Sequence, residues 1–429
     1  MSNKRNTLML FVMLLLILLL LTPMNGVTPN RNTEKREQDT SQVAIAPSGD
    51  QAEREEKLTV SVSLEPAQFA VLQSMNQRYM QDHQMVVELS NTYPQDAYHL
   101  FAEQSMLGDA ADVMLLQSEW VNKFAVSGYL LPVDSYFSGV AASEPLDWLM
   151  NQVKWNGYIW GIPKDVDPYI LVWNPKLLRE LSMDQLPSER EGWINLERYF
   201  SKLPNAPYLI AADLNDGYQI LSSLRRLGSL GEISTFLESL RPHIYVAEDS
   251  ASLWEMMARG ELLAMVTTAS AWQQHPNTDL SVESVNPARN GKSFWARSRS
   301  FVVSSKSRLE KEAKDWIQAM TTATAQEEVL HETRMLPALK YMYTPSSLPA
   351  LHGSMRDRLA QMTDLGLRNS PTIVQEMKQL GHVFGQYIHN LVPLQTLLLQ
   401  LESLELETTV KSVDPHDEME KGTSSLDHP

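Results

Sequence analysis

The sequence predicts an α/β protein in which helices flank a parallel sheet. Three observations indicate this class. Segments with strand-like and helix-like patterns alternate in the first part of the folded chain. The length of 429 residues is enough for two domains with a large buried core. Hydrophobic residues make up 43% of the chain and charged residues 21%, which is an ordinary composition for a soluble globular protein.

The first five elements carry the prediction of a parallel sheet. They are expected in this order: strand 58–62, helix 67–82, strand 85–89, helix 98–107 and strand 111–116. This alternation gives parallel strands with helices on the faces of the sheet. Ligands bind such sheets beyond the carboxyl ends of the strands. We therefore expect site residues in the turns at 65–68 and 117–120.

A crossing between the two domains is predicted further along the chain. Residues 158–163 and 169–173 have strand patterns, and they bracket the polar segment 164–168. The middle region, 175–260, is predicted to be mostly helical. The later elements are expected to be strands 262–266 and 300–304, helices 311–320 and 326–333, and the last helices within 370–404.

The two ends of the chain differ in composition from the body. Lys4 and Arg5 precede an apolar run at residues 8–21, which is the pattern of a secretory signal. As a helix this run reaches about 21 Å, short of the ~30 Å hydrocarbon layer of a membrane. We expect residues 1–27 to be either a signal peptide or a membrane anchor. The polar segments 28–57 and 411–429 are expected to be a disordered linker and a disordered tail.

Charge and cysteine content exclude several classes of function. The formal net charge of -16 argues against nucleic-acid binding, which needs clustered Lys and Arg. The chain contains no cysteine, which excludes disulfide scaffolds, thiolate metal sites and lipid attachment at cysteine. The sequence also lacks the motifs typical of serine hydrolases, zinc peptidases and nucleotide-binding enzymes. We therefore expect a protein that is not an enzyme and that holds neither a cofactor nor a metal.

Four stretches of the body carry a family likeness. They are DVMLLQSEWVNKFAVSGYLLPVDSYF at 112–137, NGYIWGIPKDVDPYILVWNPKLL at 156–178, RGELLAMVTTASAWQQ at 259–274, and the stretch 291–340 that begins GKSFWARSRSFVVSS. Together they resemble the family 1 extracellular solute-binding proteins, the sugar receptors of bacterial ABC importers. Their order and spacing carry the resemblance more than any single motif. The chain departs from the family pattern in three places. It has no lipidated cysteine, Trp173 stands where the family has tyrosine, and Met335 replaces a glycine.

The resemblance implies a two-lobed periplasmic-binding-protein-like fold of type II, in which each lobe is a mixed sheet flanked by helices. Lobe 1 would comprise residues 58–165 and 288–345, and lobe 2 residues 166–287 and 346–410. A ligand cleft between the lobes would close on a carbohydrate, a mono- or oligosaccharide, and the protein would deliver it to the membrane subunits of an ABC permease. The resemblance also implies a monomer that is exported, either held at the extracellular face of the membrane or secreted.

Aromatic side chains are the first candidates for binding a sugar. Sugars present apolar C–H faces, which flat aromatic rings cover well. Trp120, Trp272 and Trp295 lie at ends of predicted strands and match ligand-facing positions of the family, and Trp173 ends the crossing strand. Two other tryptophans, Trp254 and Trp316, have apolar neighbours at helical spacing and are expected in the core.

Charged side chains are the second group of candidates. Asp165 and Asp167 in the crossing would accept hydrogen bonds from neighbouring hydroxyls, although a solvated turn is an equal alternative. Glu65 either binds ligand or caps the following helix. Arg297 and Arg299 lie on the same side of a strand, and we expect Arg297 to reach the cleft while its neighbour is solvated. Weaker candidates at the rim of lobe 2 are Tyr208, Asp213 and Tyr218.

Two other functions stay open at this point. A surface sensor or scaffold with the same fold would explain the missing lipid anchor and the long linker. A receptor for a non-sugar solute, such as a polyamine or a peptide, would explain the combination of aromatic rings with Glu65, Asp165 and Asp167, because a cation is attracted to both carboxylates and ring faces.

Overall fold

The structure is a computed structural model of the chain, and it divides the chain into two units, Met1–Arg54 and Glu55–Pro429. The described residues all belong to the second unit. They are 57–93, 96–137, 144–180, 183–275, 277, 279–285, 296–348, 353–362 and 369–405. The expected signal peptide or anchor, nearly all of the linker, and the tail lie outside these residues.

The described part of the chain contains the following elements. The strands are β1 (Lys57–Val62), β2 (Val86–Asn91), β3 (Val113–Gln117), β4 (Leu130–Leu131), β5 (Lys154–Trp155), β6 (Tyr158–Ile159), β7 (Ile162–Trp173), β8 (Tyr208–Asp213), β9 (Ile244–Ala247), β10 (Leu262–Thr268), β11 (Ser281–Ser284), β12 (Ala296–Ser304) and β13 (Leu336–Pro337). The helices are α1 (Pro66–His83), α2 (Ala97–Leu107), α3 (Ser118–Val126), α4 (Asp134–Phe137), α5 (Asp147–Val153), α6 (Pro175–Arg179), α7 (Arg190–Phe200), α8 (Gly217–Leu227), α9 (Leu230–Ile233), α10 (Leu237–Leu240), α11 (Ser250–Arg259), α12 (Ala269–Gln274), α13 (Glu310–Met320), α14 (Ala323–Thr333), α15 (Gly353–Gln361), α16 (Ile373–Ile388) and α17 (Leu394–Glu405). Two 3₁₀ turns lie at Arg241–His243 and Lys340–Met342.

The predicted strand–helix alternation at the start of the body is confirmed. Strands β1, β2 and β3 are separated by helices α1 and α2, and β1 pairs in parallel with both of the other strands. Helix α1 presents Leu72, Met75 and Tyr79 to the core at the spacing of one helix face. The carboxyl end of β3 runs directly into helix α3, so the turn expected to carry site residues becomes the first turn of a helix.

The crossing differs from the prediction. Two strands around a polar loop were expected, but β7 is one continuous strand of 12 residues. It pairs with β12 over residues 162–168 and with β10 over residues 169–173. Pro168 has no N–H to donate to a neighbouring strand, and it lies where one partner ends and the other begins. The strand therefore accommodates a proline that normally argues against a central position.

A mixed sheet of 11 strands runs through β7. Its path among the described residues is β2-β1-β3-β12-β7-β10-β8-β9, with β4, β11 and β13 attached at the side. Strand β12 is antiparallel to both β3 and β7, whereas β10 is antiparallel to β7 and parallel to β8. Strands β10 and β12 therefore both pair with the crossing strand β7, which connects the two halves of the sheet.

Separate hydrophobic clusters cover the two halves of the sheet. One cluster surrounds the fully buried Trp316 beneath β1 and β12, and another surrounds Trp193 beneath β8 and β10. Trp254 and Trp316 lie in the core, as expected. A search of the described residues finds no helix with both the length and the apolar character needed to cross a membrane.

Candidate functional site

Five polar side chains meet where α3, β7, β12 and the start of α8 come together. We call Glu119, Tyr169, Asp216, Tyr218 and Arg297 the polar cluster. Helices α3 and α8 each follow the carboxyl end of a strand, β3 and β8 respectively, which is where ligands bind in sheets of this type. The crossing strand β7 and the return strand β12 supply the other two side chains.

Arg297 lies at the centre of the polar cluster. Its Nη2 donates to Asp216 Oδ2 at 2.7 Å, and its Nε donates to the Tyr169 hydroxyl at 2.9 Å. The Tyr169 hydroxyl in turn donates to Asp216 Oδ1 at 2.9 Å, which closes a ring of charge-assisted hydrogen bonds. The negative charge of Asp216 holds the pKa of Arg297 well above its ordinary value. The Arg297 side chain is nevertheless 42% exposed.

Asp216 holds its place through the backbone of α8. It is the N-cap residue of this helix, and its carboxylate accepts from the backbone N–H of Gln219 at 3.1 Å. A carboxylate at this position also interacts favourably with the helix dipole. The N-terminus of α8 therefore holds the carboxylate that Arg297 contacts.

Glu119 and Tyr218 form the second part of the polar cluster. The Tyr218 hydroxyl and the Trp120 indole both hydrogen-bond with the Glu119 carboxyl. Burial raises the pKa of Glu119, although the charge of Arg297 acts in the opposite direction. Because Glu119 belongs to α3 and Tyr218 to α8, this contact joins the helices that follow two distant strands.

A second group of charges lies next to the polar cluster, and we call Lys164, Asp165 and Arg299 the buried triad. Arg299 donates to both carboxylate oxygens of Asp165, at 2.8 and 2.6 Å, and Lys164 Nζ donates to Oδ2 at 2.6 Å. Burial alone would raise the pKa of Asp165, but the charges of Arg299 and Lys164 outweigh it and lower this pKa to about 2. Asp165 is thus an ionised anchor for two cations.

The buried triad corrects the expectation for Arg299. A solvated side chain was expected, but Arg299 is buried because its bidentate contact with Asp165 compensates for the loss of water. Its Nη1 also donates to Gln68 Oε1 at 2.7 Å. Glu65 is half-buried at the N-cap position of α1, where its side chain makes no capping hydrogen bond, and its charge acts on Arg299.

Asp167 connects the crossing strand to helix α12. One carboxylate oxygen accepts from the Ser270 backbone N–H at 3.0 Å, and the other accepts from the Ser270 hydroxyl at 2.5 Å. Burial raises the pKa of Asp167 in spite of these two contacts. The arrangement fixes the start of α12, the helix that carries Trp272.

Aromatic rings lie on both of the helices that border these charges. Trp272 is half-buried and stacks on Trp254 with ring centres 6.0 Å apart, and His275 stacks on the same ring at 4.6 Å. Trp120 is half-buried on α3 and meets Tyr98 edge-on at 5.2 Å. Each of these two predicted tryptophans therefore keeps a partly exposed surface beside carboxylates.

The structure does not bring every candidate to this region. Trp173 is packed in the core near Trp193. It lies six residues beyond Asp167 along β7, which corresponds to about 20 Å of strand. It borders a surface cavity of about 560 Å³ together with Arg179 and Val282. The expected site residue Trp295 lies outside the described residues. The weaker candidate Tyr208 is partly exposed at the start of β8.

Sequence reasoning missed three members of the polar cluster and underrated a fourth. Glu119 lies inside the turn where site residues were expected, but the neighbouring tryptophan was chosen instead. Asp216 could have been found as the carboxylate just before the start of a helix, where Asp is a common N-cap residue. No local pattern marks Tyr169, because its role depends on strand β12 far along the chain. The sequence ranks Tyr218 only among the weaker candidates at the rim. The described residues contain no group of three or more potential ligands that could hold a metal ion.

Known proteins resemble this chain in both sequence and fold. The model of a family described as "Bacterial extracellular solute-binding protein" matches residues 87–327. A maltotriose-binding protein of Pyrococcus abyssi is 21% identical over 259 residues, which cover 56% of this chain and 56% of that protein. The chain therefore spans about half the length of this curated relative.

Solved structures share the fold over most of the described chain. A solute-binding protein of an ABC transporter from Thermotoga lettingae, bound with alpha-D-tagatose, superposes with a TM-score of 0.66 at 13% identity and covers 82% of this chain and 98% of its own. A cyclo/maltodextrin-binding protein complexed with maltotetraose gives a TM-score of 0.61 at 15% identity, with coverage of 83% and 98%. This likeness confirms the predicted two-lobed α/β fold of type II, while the boundaries of the lobes stay a prediction.

Proposed function

Because the chain belongs to the bacterial extracellular solute-binding protein family, we propose that it captures a carbohydrate by closing its cleft and delivers it to an ABC permease. The family and the fold are those of transport receptors and not of enzymes. The curated relative is named for maltotriose, and the two structural neighbours contain bound alpha-D-tagatose and maltotetraose. These names support a sugar, and a short glucose oligomer in particular, as the ligand class.

One observation carries the proposal: partly exposed tryptophans stand beside carboxylates on the helices that follow sheet strands. Trp120 adjoins Glu119 on α3, and Trp272 lies two residues after Ser270, the partner of Asp167, on α12. A tryptophan face covers the C–H surface of a sugar ring, and a carboxylate accepts hydrogen bonds from its hydroxyls. Arg297 adds a donor for ring or hydroxyl oxygens.

Isothermal titration calorimetry of the full chain with maltotriose tests the proposal. We expect saturable binding in which Trp120→Ala and Trp272→Ala each weaken the affinity by about tenfold or more, since each removes a large apolar surface from the contact. Tyr199→Ala, which truncates a partly exposed ring on α7, is the control and should bind like the wild type. Equal affinities for all of these variants would show that the tryptophans do not form the sugar platform.

A cationic solute is the second candidate. The polar cluster contains two carboxylates, Glu119 and Asp216, against the single guanidinium of Arg297, and Asp167 adds another carboxylate nearby. An amine would gain from these charges and from the adjoining rings. Putrescine in the same calorimeter separates the two candidates, because heat with putrescine and none with maltotriose would replace the sugar by a cation.

Partner and location complete the proposal. We infer that the chain acts as a monomer outside the cell and docks on the membrane subunits of an ABC permease, as its family implies. Attachment then depends on residues 1–27, which lie outside the described residues. Cell fractionation distinguishes the cases: full-length protein in the membrane fraction indicates an anchor, and a shortened chain in the medium indicates a cleaved signal.

A further inference from the structure

We propose that Trp254 is a positioning residue of the binding site, which supports the ring of Trp272 from the protein side and thereby sets the surface that a ligand meets. Trp254 itself touches no ligand in this arrangement. Its role rests on the proposed function, because Trp254 acts only through the ring that is proposed to bind the sugar.

The contact between the two tryptophans joins two neighbouring helices. Trp254 lies on α11, which follows β9, and Trp272 lies on α12, which follows β10. The ring centres are 6.0 Å apart, and the ring planes are inclined by only 28° to each other. Offset stacks at this distance gain attraction beyond the apolar area that they bury. The Trp272 ring is therefore supported on the side that faces Trp254.

The two rings differ in how firmly the protein holds them. Trp254 is only 8% exposed and belongs to the same hydrophobic cluster as Met257 and Met265. A ring packed in this way cannot turn without opening a gap in the core. Trp272 is half-buried and packs against the cluster from outside. The fixed member of the pair is thus in the core, and it supports the member at the surface.

A third ring shows that Trp254 holds the whole end of helix α12. His275, the C-cap residue of this helix, stacks on Trp254 with ring centres 4.6 Å apart and an angle of 21° between the ring planes. Residues three apart, such as Trp272 and His275, are neighbours on a helix surface. The other end of α12 is held by Asp167, which accepts hydrogen bonds from the backbone and the hydroxyl of Ser270. The helix that carries Trp272 is therefore fixed at both of its ends.

Support of this kind affects affinity through the cost of ordering. A side chain that already has one orientation loses little conformational freedom when a ligand binds to it. Without the stack, the Trp272 ring would populate several orientations, and the ligand would have to select one of them. We therefore expect Trp254→Leu to weaken ligand binding by about threefold to tenfold, which is the range expected for ordering one large side chain.

A double-mutant cycle with maltotriose tests the positioning role by isothermal titration calorimetry. Trp254→Leu and Trp272→Ala are each measured alone and then combined in one chain. Because Trp254 acts through the Trp272 ring, Trp254→Leu should cause no further loss of affinity once that ring is absent. Trp254→Phe keeps a flat aromatic face and should retain most of the affinity. If Trp254→Leu does not fold, Trp254→Met takes its place, because it fills more of the site without a ring.

A matched control and a spectroscopic signal separate positioning from general destabilisation. Trp193→Leu changes another buried tryptophan, in the cluster beneath β8 and β10, and should lower thermal stability while maltotriose affinity stays unchanged. Two stacked indoles also give exciton-coupled bands of opposite sign in circular dichroism. Removing either ring of the pair should abolish the same bands, so the difference spectra of Trp254→Leu and Trp272→Ala should coincide.

The possible results distinguish this role from the proposed function. The positioning role is overturned if Trp254→Leu binds maltotriose like the wild type, or if its loss adds in full to the loss caused by Trp272→Ala. An equal loss of affinity in the control Trp193→Leu overturns it as well. Absence of maltotriose binding to the wild type overturns the proposed function together with this role, which sets that failure apart from the first three results.

Discussion

Removing the carboxylate of the buried triad should destabilise the protein more than removing any exposed charge. Asp165→Asn keeps the size of the side chain but leaves Lys164 and Arg299 buried side by side without the carboxylate that contacts both of them. Both cations are almost inaccessible to water, with side-chain exposures of 6% and 10%. Breaking a buried ion pair in this way costs about 3–5 kcal/mol.

The unequal number of positive and negative charges in the buried triad predicts a different result for a second variant. The triad contains two cations and one anion, so Lys164→Met leaves a balanced Asp165–Arg299 pair that keeps both of its hydrogen bonds. We expect this variant to lose about 1 kcal/mol or less, because a buried charge with its desolvation cost is removed together with its hydrogen bond. The order of the two variants in stability therefore depends on the charge that remains buried in each of them.

Urea unfolding followed by circular dichroism measures both effects as a shift of the midpoint at constant slope. The matched control is Asp279→Asn, whose exposed ion pair with Lys176 should contribute less than about 1 kcal/mol. The reasoning is refuted if Asp165→Asn unfolds at the same urea concentration as the control, or if Lys164→Met is the more damaging change.

Three further results are expected. Acid should remove about 2 kcal/mol of stability as the pH falls from about 4 through about 2, because the pKa of Asp165 is about 2 in the folded chain against an ordinary 3.8. The unfolding of Asp165→Asn across this range should lack that loss. Gly381→Ala should lower the free energy of unfolding by about 1–3 kcal/mol, because a Cβ would collide with the backbone carbonyl of Leu214, whereas Gly231→Ala meets open space and should be neutral or slightly stabilising. Trp272→Ala should leave thermal unfolding nearly unchanged while it weakens maltotriose binding, since the ring is only half-buried.

The sequence predicts much of the fold because its elements depend on local patterns. Alternating apolar residues locate β1 and β3, and helical spacing locates α1, independently of the rest of the chain. The crossing strand is different. Pro168 and the charged residues around it argue locally for a loop, and only the change of partners from β12 to β10 makes a continuous strand possible. These two partner strands lie about a hundred residues or more beyond β7 along the chain, outside any local sequence pattern.

The candidate site was predicted less completely than the fold for a related reason. The end of strand β3 led to the choice of Trp120, because the carboxyl edge of a sheet is set by its topology. Which side chains meet there is a three-dimensional property. Glu119 on α3 pairs with Tyr218 on α8, and nothing near either residue in the sequence identifies its partner.

The two arginines of β12 show how the fold divides stability from function. Arg297 and Arg299 are two residues apart and lie opposite Asp167 and Asp165 on β7. Arg299 is enclosed by a bidentate carboxylate, so any movement would leave a buried charge unpaired. Arg297 is 42% exposed, and its main partner Asp216 lies at the start of α8. Loss of the Arg297–Asp216 contact should therefore cost less stability than loss of the Arg299–Asp165 contact.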